Sequence, residues 1–229
     1  KREFVARNPH LPVIDMGVGE PEERAPDFVR ETLSEAAARL ENRLYPNNGG
    51  PVFRLAAARY LKRLIGEEFG PTSDLVHCIG TKSALAQIPL AFINPGDHVV
   101  ATVPGYPVLP TIARWYGAMV HELPLNAENR FLPDLGALEE IAKQYHPKLV
   151  LLNYPKRSFF QEVIRLAHQY RFIIVQDAAY ADLVHDGDFV SPLMLDGGRD
   201  VTLELYSLSK SYNMQGYRLG FVAGAPALV

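Results

Sequence analysis

The segment Ser207-Leu208-Ser209-Lys210, with Arg218 shortly after it and Gly216 and Gly220 around that arginine, gathers unusual chemistry into one stretch. Two hydroxyls and a guanidinium are donors suited to a phosphate. The primary amine of Lys210, placed beside them, can condense with a carbonyl. Taken alone, Lys210 reads as an ordinary solvated surface charge; its company changes that reading. A second group is Asp177 and Tyr180, in Val175-Gln176-Asp177-Ala178-Ala179-Tyr180. An Asp at the end of an apolar run is commonly a helix cap. The alternative is an anion that pairs with a protonated ring nitrogen, with Tyr180 donating to a nearby oxygen.

Two further segments could serve the same chemistry. Pro104-Gly105-Tyr106-Pro107 is either a proline-rich turn with an incidental aromatic or a way to hold the Tyr106 ring flat against a ligand. Gly80-Thr81-Lys82-Ser83 opens a helical pattern, and the free N–H groups and positive dipole end of a helix start attract phosphate. The anion-to-ring-nitrogen pairing considered for Asp177 is one that pyridoxal phosphate requires. That cofactor needs a carboxylate to keep its ring nitrogen protonated, so that the ring accepts electrons from a substrate carbanion.

The elements that must position these residues can be read from periodicity. Helical patterns cover Pro26–Asn42, Val52–Phe69, Lys82–Phe92, Leu135–His146 and Phe159–Tyr170. In the first of these, Phe28, Val29, Leu33, Ala36, Ala37 and Leu40 share a face. Between the helices lie short apolar or β-branched runs: His98–Val103, Met119–Pro124, Lys148–Asn153, Phe172–Gln176, Val201–Tyr206 and Leu219–Ala223. Leu149-Val150-Leu151-Leu152 and Ile173-Ile174-Val175 lack polar alternation, as expected of strands covered on both faces. The alternation predicts an α/β fold with a mostly parallel sheet sandwiched by helices, and such sheets bind ligands at the carboxyl ends of their strands. Lys210, Asp177 and Tyr106 all follow predicted strands. Residues 1–25, punctuated by Pro and Gly, are expected to form an irregular N-terminal arm, and residues 26–229 the domain that binds the ligand.

In this order the motifs resemble the fold-type I pyridoxal-phosphate enzymes, in particular the class I/II aminotransferases. The likeness runs over nearly the whole chain. It takes in Gly17-Val18-Gly19-Glu20-Pro21, Tyr45-Pro46-Asn47-Asn48-Gly49-Gly50, Gly80-Thr81-Lys82, Tyr106-Pro107, Asp177-Ala178-Ala179-Tyr180, and Ser207-Leu208-Ser209-Lys210 with Arg218. The stretch from Ser207 through Tyr212-Asn213-Met214-Gln215-Gly216-Tyr217 to Arg218 is similar to LL-diaminopimelate aminotransferases and their relatives, and Tyr45-Pro46-Asn47-Asn48 fits the same group. What the resemblance implies is specific. Lys210 is the Schiff-base lysine and the base that moves the substrate proton. Asp177 pairs with the pyridine nitrogen, Tyr180 with the phenolic oxygen, and Tyr106 stacks on the ring. Thr81 and Lys82 through their N–H groups, with Ser207, Ser209 and Arg218, hold the phosphate. Tyr45 reaches the phosphate of a neighbouring subunit, which implies a homodimer with shared sites. Gly19 meets the substrate carboxylate. The substrates implied are an amino acid and a 2-oxo acid, with LL-diaminopimelate and 2-oxoglutarate as the pair favoured by the closer likeness.

Two departures stand against that pattern. The family carries Asn-Pro-Thr-Gly after the strand matched by Lys148–Asn153, whereas here Asn153-Tyr154-Pro155 runs directly into Lys156-Arg157-Ser158-Phe159. Asn153 lies upstream of the motif position and receives no role. A stretch missing at the join Pro155–Lys156 is the expectation. The family's chains also continue beyond the region matched by Val229, into the rest of the large domain and a small C-terminal domain that carries the arginine for the substrate's α-carboxylate.

Composition narrows the alternatives. With 23 Lys+Arg against 26 Asp+Glu the net charge is −3, so no basic excess serves nucleic acid. The single Cys78 cannot form an internal disulfide, which fits a reducing compartment and a cytoplasmic protein. The uncharged stretches Ser83–Gly96 and His98–Ala113 are shorter than the roughly 20 residues of a membrane span. The chain starts without Met and looks trimmed there. The histidines show no metal-ligand spacing, so no metal is expected. Reading Ser207-x-x-Lys210 as a penicillin-recognising serine hydrolase fails for want of Lys-Thr-Gly. Gly17-x-Gly19 lacks the third glycine of a dinucleotide site. Aminotransferase-like domains also serve as ligand sensors behind a DNA-binding module, for which a 25-residue arm is too short. The same cofactor supports β-elimination and decarboxylation, so a lyase or decarboxylase stays open as an alternative chemistry.

Overall fold

The structure is a computed structural model that describes residues 1–14, 16–17, 19–153 and 157–229. The arm is not wholly irregular: it begins with a short helix, Arg2–Arg7 (α1), before the extended Pro-containing stretch. Asp27–Ala37 (α2) forms where periodicity placed it, but it stops earlier, and a 3₁₀ turn at Leu40–Arg43 takes up the rest. None of the residues of α2 is buried, and Phe28 stands 68% exposed. The apolar stripe is real, yet the described residues leave it uncovered.

Pro51–Ile65 (α3) starts with Pro at its first position and ends at Gly66, whose φ of 80° closes the helix in the left-handed conformation. Next come Leu75–Cys78 (β1), Thr81–Phe92 (α4), His98–Val103 (β2), Val108–Trp115 (α5), Met119–Pro124 (β3), Leu135–Tyr145 (α6) and Leu149–Leu152 (β4). Arg157–Tyr170 (α7), Ile173–Asp177 (β5), Gly198–Val201 (α8), Thr202–Ser207 (β6), Leu208–Ser211 (α9) and Gly220–Ala223 (β7) complete the chain. The expected break at Pro155–Lys156 lies outside the described residues.

Besides α1 and the one-turn helices α8 and α9, a strand and a longer helix escaped periodicity. The strand β1 is only four residues long, with the polar His77 inside it. The helix α5 is hidden by prolines: Pro107 caps it and Pro110 sits in its first turn. There an N–H has no intrahelical partner to lose, so proline is tolerated.

The strands form one sheet in the order β1-β7-β6-β5-β4-β2-β3. All neighbours run parallel except β7, which is antiparallel to both β1 and β6. Strict alternation along each strand divides the core between two faces. Val99, Ala101, Leu149, Leu151, Val175, Leu203 and Leu205 pack with Leu85, Ile88 and Leu109 of α4 and α5. Val100, Val150, Leu152 and Ile174 point the other way and pack with Leu138, Phe160, Val163 and Leu166 of α6 and α7. Farther along that second face, Leu61 of α3 closes over Tyr206 and Phe221. Both faces are therefore covered, which is why the central strand β4 is apolar throughout.

Candidate active site

The parallel strands β2, β4, β5 and β6 all end on the same edge of the sheet, and a cavity of about 770 Å³ opens there. Asp177 is the last residue of β5, on the α4-facing side. Its carboxyl is 6% exposed and accepts the Ala179 N–H, while Oδ1 is buried without a hydrogen-bond partner among the described residues. Burial pushes the carboxyl up from 3.8 to about 6, and only the Ala179 N–H opposes it. One carboxylate oxygen therefore serves the local turn, whereas the other has no hydrogen-bond partner among the described residues. A buried acceptor in that state fits a cationic N–H donor.

Ser207 is the last residue of β6, one strand away. Its Oγ accepts the Ser209 N–H at 3.1 Å and caps the short helix α9, which carries Lys210 in its last turn. Ser209 is buried against the sheet end. The Lys210 ammonium emerges into the cavity and donates to the Gly19 carbonyl of the arm. Arg218 lies in the left-handed region at φ 57° and folds back, its Nη1 donating to the Gln215 carbonyl at 2.7 Å.

The start of α4 faces this arginine. Its cap, Gly80, has φ 72° and ψ 153°, and no side chain caps the helix. That backbone conformation is essentially open to glycine alone. A second reason for glycine is steric, since a Cβ here would collide with the Arg218 guanidinium. Gly220 plays a similar part in β7: a Cβ would come within 2.8 Å of the Tyr206 carbonyl and 3.3 Å of the Thr81 nitrogen. Two glycines thus let a helix start, a strand and an arginine converge, and Thr81 and Lys82 line the cavity as a result. Uncapped N–H groups, a guanidinium and two hydroxyls are donors that could hold a phosphate.

Tyr106 and Tyr180 line the open side. Burial raises the Tyr106 phenol above its usual range, with the Asp177 charge next and Arg218 opposing. Gly19 approaches Tyr180 closely enough that a Cβ would lie 3.9 Å from its hydroxyl. Of the residues to which the resemblance gives a role, Tyr45 alone is absent from the cavity; it is 95% exposed. Asn153, given no role by sequence reasoning, lines this cavity and an adjoining one with Thr102, Tyr106 and Asp177. Its place at the end of β4 was the signal. Gln215 is the other unanticipated member, reached only because the chain folds back after α9. Among the described residues no group of three or more His, Cys, Asp or Glu is arranged to hold a metal, and no helix is long and apolar enough to cross a membrane.

A sheet covered by helices on both faces, with an amine, a buried carboxylate and a set of anion-suited donors at one strand edge, is the large-domain arrangement of fold-type I transferases. The family model for aminotransferase class I and II matches residues 12–229, and the chain belongs to that family. Among its relatives is the LL-diaminopimelate aminotransferase of Methanocaldococcus jannaschii, 42% identical over all of this chain and 57% of the relative. The enzyme of the same name from Methanococcus maripaludis is 41% identical over 96% of this chain and 55% of its own. Among solved structures, apo BacF from Bacillus subtilis superposes with a TM-score of 0.89 at 29% identity, covering 99% of this chain and 60% of that one. An aspartate aminotransferase mutant from Thermus thermophilus gives 0.90 at 25% identity, with 99% and 60% covered. The chain therefore spans somewhat more than half the length of these relatives.

Proposed function

We propose that the protein is a pyridoxal-phosphate-dependent aminotransferase that moves an amino group between an amino acid and a 2-oxo acid. The observation that carries this reading is Asp177 Oδ1, a buried acceptor without a partner among the described residues, at the cavity that Lys210 and the anion-suited donors also line. Residues 26–229 would be the cofactor-binding domain, with residues 1–25 as an arm that reaches back to the cavity.

In this reading Thr81 and Lys82 through their N–H groups, with Ser207, Ser209 and Arg218, hold the phosphate. Asp177 faces the ring nitrogen, Tyr180 the phenolic oxygen, and Tyr106 covers the ring. Bound there, pyridoxal phosphate supplies an electron sink that stabilises negative charge at the substrate Cα. Asp177 sustains that sink: a cationic nitrogen against its buried carboxyl favours the ionised form and offsets the desolvation that otherwise raises it. Lys210 Nζ would hold the cofactor, and as a free amine it would take the proton from the substrate Cα as general base. Gly19 offers backbone to the substrate carboxylate from above Lys210.

The curated relatives, named for LL-diaminopimelate, favour that amino donor; the acceptor proposed with it is a 2-oxo acid such as 2-oxoglutarate. Tyr45, exposed and outside the cavity of its own chain, would serve a second copy, a role consistent with a homodimer with shared sites. Cys78 is buried, and burial pushes its thiol up to about 12, so it is an inert thiol suited to the cytoplasm.

Borohydride reduction of the protein with pyridoxal phosphate tests the reading. A trapped adduct should form and be lost in Lys210→Ala, and the cofactor absorbance should change on adding LL-diaminopimelate but not alanine or aspartate. An adduct that persists in Lys210→Ala would overturn the assignment. Lyase or decarboxylase chemistry would appear as ammonia or carbon dioxide release in place of an amino-acid product.

A further inference from the structure

The arm is stitched to the lysine loop by three side chains of one segment. Lys210 Nζ donates to the Gly19 carbonyl, Gln215 Nε2 to the Pro21 carbonyl at 2.9 Å, and Asn213 Nδ2 to the Arg24 carbonyl at 3.4 Å. All three are side chain to main chain, so the arm is held by its backbone. These bonds are not equivalent. The Asn213 contact is at the outer limit of a hydrogen bond. The Lys210 contact uses the amine that the proposed function assigns to the cofactor, and a nitrogen engaged there no longer points its protons at Gly19. Gln215 is the link that chemistry leaves intact.

Gln215 has a second connection. Its own carbonyl accepts Arg218 Nη1 at 2.7 Å, and Arg218 is the guanidinium packed on the start of α4. One residue therefore grips the arm with its side chain and the phosphate-side arginine with its backbone. The side chain is half-buried; its Oε1 is enclosed without a hydrogen-bond partner among the described residues, so the Nε2 bond to Pro21 is what orients the amide. That donor faces a carbonyl, which a neutral amide satisfies and a carboxylate would repel.

Resting on the proposed function, we infer that Gln215 is a positioning residue: it holds the arm segment carrying Gly19 over the cavity and ties that position to Arg218. Holding Gly19 in place matters to substrate binding more than to the proton transfer at Lys210. Loss of the tie should therefore weaken the amino acid's binding before it slows the chemistry.

The test uses the full-length holoprotein with Gln215→Ala and Gln215→Glu. The second variant keeps the shape and the main-chain bond to Arg218 but replaces the donor by an acceptor. Cleavage by a Glu-specific protease after Glu23 reads detachment of the arm, because a protease needs the strand free on both sides of the bond. Both variants should be nicked about five- to ten-fold faster than the parent, the change in open population expected from one lost hydrogen bond. Borohydride-trapped cofactor should stay near the parent level, and KM for the amino acid should rise several-fold with kcat reduced much less. Unchanged nicking in both variants, or a fall in kcat with KM unmoved, would overturn the role of Gln215. A parent protein that traps no cofactor would refute the functional reading instead, and the nicking comparison would still decide whether Gln215 holds the arm.

Discussion

Replacing Asp177 with Asn should make the cofactor-free protein more stable and the enzyme worse. The carboxyl sits in the folded chain at about 6, against 3.8 for an exposed Asp, because burial strips its solvent and only the Ala179 N–H answers. Each unit of such a shift corresponds to about 1.4 kcal/mol, so ionising this side chain in the fold costs up to about 3 kcal/mol. The direction follows from proton uptake. Between pH 4 and 6 the folded protein binds more protons at Asp177 than the unfolded one, so stability falls as pH rises and is level above the folded value. Asn has the same shape, keeps an acceptor for Ala179 and never ionises. Urea unfolding of both proteins without pyridoxal phosphate, from pH 4 to 8 with m held common, reads the difference. The variant's advantage should be small at pH 4, widen to about pH 6 and settle at roughly 1 to 3 kcal/mol. Saturating pyridoxal phosphate should stabilise the parent more than the variant, and transamination by the variant should fall by orders of magnitude while cofactor content falls far less. A difference independent of pH, or a variant less stable at pH 8, would refute the claim that an uncompensated carboxylate is stored here for the ring nitrogen.

The buried Glu204 offers a matching test away from the cavity. It accepts from Ser191 Oγ and from Tyr206 OH at 2.7 Å, and burial still pushes it up to about 7. Stability should therefore fall as pH rises through 4.5 to 7, and Glu204→Gln should flatten that part of the pH–stability curve measured by thermal unfolding. Gly80→Ala puts a Cβ into the Arg218 guanidinium at a backbone geometry closed to alanine; roughly 1 to 3 kcal/mol of stability should be lost. The same variant should bind pyridoxal phosphate at least ten-fold more weakly by absorbance titration, and an unchanged affinity would mean that Arg218 does not grip the phosphate.

Much of the site was legible without coordinates because its members are unusual residues at strand ends. An Asp closing the apolar run Ile173-Ile174-Val175, and a Lys following two serines after Val201–Tyr206, carry information by type and position together. The α/β class was equally plain, since Leu149-Val150-Leu151-Leu152 has no polar side to show solvent. Short or proline-masked elements were not legible: β1 has four residues, and α5 hides Pro107 and Pro110 at its start, where prolines do no harm. The helix α2 shows a different limit. Periodicity marks Phe28 and Leu33 as one apolar face but says nothing of what covers it.

What residue order determined, then, is the alternation of covered strands and amphipathic helices and the identity of the reactive groups, because both depend on local patterns. Only the tertiary structure decided which groups share a cavity. The parallel register of β5 on β6 sets Asp177 beside Leu205 and brings the ends of the two strands together. The antiparallel return of β7 and the missing side chains at Gly80 and Gly220 bring Arg218 onto the start of α4. The recruitment of Asn153 and of Gln215 likewise waits on the fold: one depends on where β4 ends in the sheet, the other on a loop that meets an arm nearly two hundred residues away in sequence. Such contacts leave no periodic trace, because they join segments whose separation along the chain is unrelated to any helix or strand repeat.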